Sequence, residues 1–72
     1  MPFDSEQDLK AAAELAMETH GDDCTLIKVG LTIREMLGYR DARTTVQEAR
    51  YALTLVGTER AYQIIAQYNG AA

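Results

Sequence analysis

Four glycines, Gly21, Gly38, Gly57 and Gly70, divide the chain into short segments, and each follows a stretch with helical periodicity. Glycine readily takes the left-handed conformation in which many helices stop. The segments between these stops have room for helices of a few turns. No Pro/Gly/Ser-rich linker separates them, so consecutive helices should pack as neighbours. The spacing predicts an all-α fold: one compact four-helix domain over residues 1–72.

Helices are expected over about residues 6–19, 24–37, 46–56 and 59–69. In the first, Ser5 is the expected N-cap and Glu6 and Asp8 suit the positive helix end. Leu9, Ala12, Ala13, Ala16 and Met17 form its apolar stripe. The second has Asp22 or Asp23 as its expected cap. Its apolar arc is wide: Leu26, Val29, Gly30, Ile33, Met36 and Leu37 on one side, extended by Ile27 and Leu31. Such a helix belongs at the centre of the fold. In the third, Thr45 and Glu48 have capping-box spacing, and Val46, Ala49, Leu53 and Val56 make the stripe. In the fourth, Thr58 caps a stripe of Ala61, Ile64, Ile65 and Tyr68, with Tyr62 beside it.

Size limits what these stripes can build. The chain has 72 residues, 47% of them hydrophobic, and eleven of those are alanine. A chain this short buries about 60% of its unfolded surface and is marginal without help. Cys24 is the only cysteine, so no internal disulfide can form. A lone cysteine fits a reducing compartment, and no run approaches the roughly 18 apolar residues of a membrane span. The expectation is a cytoplasmic protein that does not enter a membrane.

The net charge of −4 is unevenly placed. Residues 1–23 hold seven acids against one base, a net of −6. Residues 24–72 hold four acids against six bases, a net of +2, and five of those bases are arginines. A basic face on the later helices is therefore compatible with an acidic chain.

No arrangement for catalysis is evident. His20-Gly21-Asp22-Asp23-Cys24 collects metal-capable side chains, but one His and one Cys cannot supply the usual zinc set. The same residues read simply as a helix stop followed by a helix start. Cys24 at a helix start has a possible nucleophile's position but no base with an orienting partner. Hence no enzyme activity, cofactor or metal is expected.

Two surfaces stand out. Tyr39, Arg40, Arg43 and Arg50 surround the joint between the second and third helices and suit an anion or an acidic protein partner. Leu15, Tyr51 and Leu55 lie away from their helices' own stripes and are the expected dimer interface.

The last two helices, with Ala52-Leu53-Thr54-Leu55-Val56-Gly57 entering the turn, loosely resemble a bacterial helix-turn-helix. That resemblance implies a recognition helix over residues 59–69 carrying Arg60, Gln63 and Gln67. Leu37-Gly38-Tyr39 is similar to the first loop of ubiquitin-associated domains, and Ala52-Leu53 with Glu59-Arg60-Ala61 to their later helices. About five extra residues after Tyr39 depart from that pattern, and no ubiquitin-binding residues are carried over. The sequence thus favours a small acidic, non-enzymatic interaction or regulatory module that forms a homodimer. A DNA-binding regulator and a small phage or mobile-element inhibitor are the alternatives.

Overall fold

The computed structural model describes residues 6–38 and 41–70, the last two by backbone alone. Four helices follow in order: α1 (Glu6–His20), α2 (Leu26–Leu37), α3 (Ala42–Val56) and α4 (Glu59–Gly70). A single 3₁₀ turn, Gly21–Asp23, joins α1 to α2. No strand occurs among the described residues. The domain is all-α with four helices, as the glycine spacing predicts.

The helix starts differ from expectation in two places. Neither Asp22 nor Asp23 caps α2. Gly21, at φ 55°, turns the chain into the 3₁₀ turn. Cys24 then runs extended, its amide donating to the Gly21 carbonyl at 3.1 Å. Thr25 is the cap, accepting the Lys28 amide at 3.3 Å, and α2 begins at Leu26 rather than Cys24. The start of α3 moves the other way. Asp41 accepts the Thr44 amide at 3.0 Å, which starts the helix at Ala42, four residues before Val46. Thr45 is therefore not a cap. It lies inside α3, buried, with its hydroxyl donating to the Asp41 carbonyl at 2.8 Å. Ser5 lies outside the described residues. The α4 cap is as expected, with Thr58 Oγ1 accepting the Ala61 amide at 3.2 Å.

The stripes account for the packing. Helices α1, α2 and α3 pack pairwise, and α4 rests on α3 and reaches α2. Thus α2 touches each of the other helices, as a central helix must, and α3 does the same. Leu9, Ala12, Ala13 and Ala16 of α1 meet Leu26, Val29 and Ile33 of α2 and Ala49, Ala52 and Leu53 of α3 in one core. Met36 departs from its expected place and is exposed. It shares a helix side with fully buried Val29 but stands in the last turn, where the packing ends.

One contact sets the approach of α2 to α3. A Cβ built on Gly30 would lie 2.4 Å from Thr45 Cγ2. Only the missing side chain allows these backbones their separation.

Small residues bring the helices close, and that has a consequence for the large ones. Among the described residues, six of the thirteen in the buried core are alanine. Among the described residues, seven large hydrophobic ones are exposed instead: Leu15, Ile27, Leu31, Met36, Tyr51, Tyr62 and Tyr68. Close helices leave little interior volume for them, so several expected core positions face outward.

Candidate functional site

Helix α4 determines where the exposed residues gather. Among the described residues it packs on α3 and on α2 and not on α1. Burial along its stripe falls with distance from the body. Ala61 and Ile64 are buried, Ile65 is half-buried, and Tyr68, one turn beyond Ile64, is exposed. The second half of α4 therefore overhangs the first turn of α2. Between them lies a groove of about 270 Å³ lined by Thr25, Leu26, Ile27, Ile64, Gln67 and Tyr68, with no charged side chain.

A second groove lies between α2 and α3. Its volume is about 90 Å³, and Ile27, Leu31, Arg34, Ala42, Thr45 and Val46 line it. Ile27 lines both grooves. Ile27, Leu31 and Tyr68, which line these grooves, are 45%, 44% and 42% exposed. Contiguous apolar surface of this kind marks contact sites more often than scattered single residues do.

The expected interface residues lie on α1 and α3. Tyr51 is exposed, and its hydroxyl donates a hydrogen bond to Glu6 at the start of α1. That bond is the main cause holding the phenol above its ordinary pKa, with burial and the Glu6 charge adding to it. Leu55 is half-buried against the core. Leu15 is exposed, nine residues after Glu6, which at 100° per residue places it on the opposite edge of α1. Leu15 thus stands apart from Tyr51, whereas Tyr51 and Leu55, one turn apart, share a side of α3. Ile27 and Leu31, which extend the apolar arc of α2 in the sequence, are both exposed.

Of the expected anion surface, Tyr39 and Arg40 lie outside the described residues. Arg43 and Arg50 are both exposed on α3. Seven residues apart, they fall nearly in line, about 10.5 Å along the axis.

The α1–α2 turn forms a third depression, polar and about 170 Å³, lined by Asp22, Cys24, Arg60, Gln63, Ile64 and Gln67. Arg60 is engaged there, its guanidinium donating to the Gly21 carbonyl and tying α4 to the turn. Cys24 is buried, and desolvation raises its thiol pKa against the opposing pull of Arg60 and Lys28. A buried thiol held protonated is a poor nucleophile. Among the described residues, no three His, Cys, Asp or Glu side chains come together to hold a metal. No described helix is long and apolar enough to cross a membrane. Compared with protein-family models, curated proteins and solved structures, the chain matches none.

Proposed function

We propose that the protein is a small, non-enzymatic interaction module of the cytoplasm that pairs with a second copy of itself through the α2–α4 face. The single observation that carries this reading is the uncharged groove under the α4 overhang, with Tyr68 and Ile27 exposed at its edges. A two-fold pairing brings the same patch of each copy together, so a patch without charge meets no like-charge repulsion. Tyr68 is the kind of anchor interfaces favour, a large ring with a polar tip. Pairing also addresses the alanine-rich core, because apolar surface left outside each monomer becomes buried between two. In this reading the pairing face replaces Leu15, Tyr51 and Leu55. The arginine side of α3, at Arg43 and Arg50, is left to a second, acidic partner.

Light scattering after size exclusion tests the pairing. The expected mass is twice the 8.0 kDa of the chain, falling to one chain in Tyr68→Glu and Ile27→Glu with unchanged helical circular dichroism. A monomer at high concentration overturns the proposal.

The DNA-binding alternative draws less from the geometry. The outward side of α4 presents Glu59, Tyr62, Gln63 and Ala66, while Arg60 turns inward to Gly21. A helix that reads DNA commonly has cations directed at phosphates.

A further inference from the structure

The outward side of α2 carries two apolar residues and two opposite charges in a regular pattern. Ile27 and Leu31 stand one turn apart and are both exposed. Lys28 and Glu35 are seven residues apart, nearly in line at 100° per residue and about 10.5 Å along the axis. Leu31 lies between them, about 50° further round the helix. Glu35 is exposed. The Lys28 ammonium donates to the Asp23 carbonyl at 3.0 Å and keeps further N–H donors, since an ammonium has three. The charges around this side balance. Arg34, which lines the α2–α3 groove, is already engaged within the chain, and exposed Asp41 stands beside Ala42 across that groove.

We infer that two copies pair with their α2 helices antiparallel, Leu31 against Leu31 at the two-fold axis and Lys28 of each copy against Glu35 of the other. The inference rests on the pairing of copies proposed above and adds its direction and register. Three considerations select this arrangement. Balanced charge favours neither an acidic nor a basic partner, whereas an antiparallel copy presents the same pattern reversed. A two-fold axis across the helices also keeps the charged edges of both copies on one side of the contact, so a cation meets a carboxylate at each end. A parallel pairing would put those edges on opposite sides, where Lys28 and Glu35 cannot meet. Finally, Ile27 also lines the groove under the α4 overhang, so this side of α2 adjoins the face already assigned to pairing. The two copies of Arg34, on the other edge, stand about 9 Å apart along the axes in this register.

Exposed ion pairs add little affinity by themselves, so the test reads charge reversal rather than removal. Sedimentation equilibrium of the full chain gives the dissociation constant of the pair. Lys28→Glu and Glu35→Lys should each weaken pairing about tenfold or more, because each brings like charges together at both ends of the contact. The combined variant Lys28→Glu/Glu35→Lys exchanges the charges and should pair within about threefold of the unaltered chain. Glu35→Lys leaves the Lys28–Asp23 bond untouched, and circular dichroism checks that every variant keeps its helices. The inference is overturned if either single reversal pairs as tightly as the unaltered chain, or if the combined variant stays as weak as the single ones. Tyr68→Glu separates the two proposals. If it abolishes pairing while the charge reversals do not, the α2–α4 face stands and this register falls. If it still pairs while the charge exchange behaves as expected, the register stands and the α4 overhang is no part of the face. An unaltered chain that is monomeric at every concentration overturns both.

Discussion

Replacing Gly30 by alanine sets two effects of opposite sign against each other. In an unconstrained helix interior the change gains about 1 kcal/mol, because glycine is the poorer helix former. In α2 the new Cβ would stand 2.4 Å from Thr45 Cγ2, over 1 Å inside the ordinary carbon–carbon separation of about 3.5–4.0 Å. Thr45 cannot easily turn aside. It is β-branched, and its hydroxyl is bound to the Asp41 carbonyl at 2.8 Å. Behind the methyl, the Thr45 carbonyl oxygen lies 3.1 Å from the same Cβ, so the α3 backbone must also give slightly. Overpacking of this kind costs about 1–3 kcal/mol. The steric cost at the upper end exceeds the propensity gain by about 2 kcal/mol, and the expected net loss is about 1–2 kcal/mol. For a domain of this size that lowers Tm by about 4–8 °C for each kcal/mol. Thr45→Ser keeps the hydroxyl and removes the clashing methyl. Combined with Gly30→Ala it should recover much of the loss, giving a favourable coupling in a double-mutant cycle. Thermal unfolding of the four proteins by circular dichroism measures the cycle. A higher Tm for Gly30→Ala, or additive effects in the double variant, would refute the close approach of α2 and α3.

Cys24 should react with a thiol reagent far more slowly in the folded protein than in urea, because burial both shields the sulfur and raises its pKa. Equal rates would contradict its place in the core. The Asp41 carboxylate is held below its ordinary pKa, first by the Thr44 amide and then by the Thr44 hydroxyl. Its contribution to stability is therefore present above the unfolded carboxylate pKa, about 3.9, and is lost as pH falls through the lower folded value. Asp41→Asn should retain the cap but reduce this acid dependence, as read from unfolding midpoints between pH 2 and 6. Tyr51 has the opposite sign: its raised pKa makes its contribution present below about pH 10 and lost as pH rises through the folded value. Tyr51→Phe should remove that alkaline dependence and leave the molecular mass unchanged, since Tyr51 clasps α1 rather than lying on the pairing face.

Much of this fold was legible from periodicity. The α1 stripe is buried from Leu9 to Ala16, and Ala49 and Leu53 of α3 are fully enclosed. Those positions depend on helical spacing, which the sequence displays directly. Where caps compete, local pattern was less informative. Asp22, Asp23 and Thr25 all suit an N-cap. The selection of Thr25 depends on Gly21 winding a 3₁₀ turn and on Cys24 reaching the core. Thr45 with Glu48 imitated a capping box, yet the face opposite Thr45 is Gly30, and a contact across α2 and α3 has no local signature. The surface was harder still. Angle around a helix cannot show that α4 overhangs, so Tyr68 belonged to a core stripe and was exposed nonetheless. Distance along the axis made the difference, as it did for Met36.

The most direct measurement of the central claim is a dilution series of amide NMR spectra on the full chain. Pairing through the α2–α4 face predicts concentration-dependent shifts clustered at residues 25–28 and 64–68, absent in Tyr68→Glu. Shifts clustered instead around Leu15 or Tyr51, or spectra independent of concentration together with a monomer mass, would contradict it.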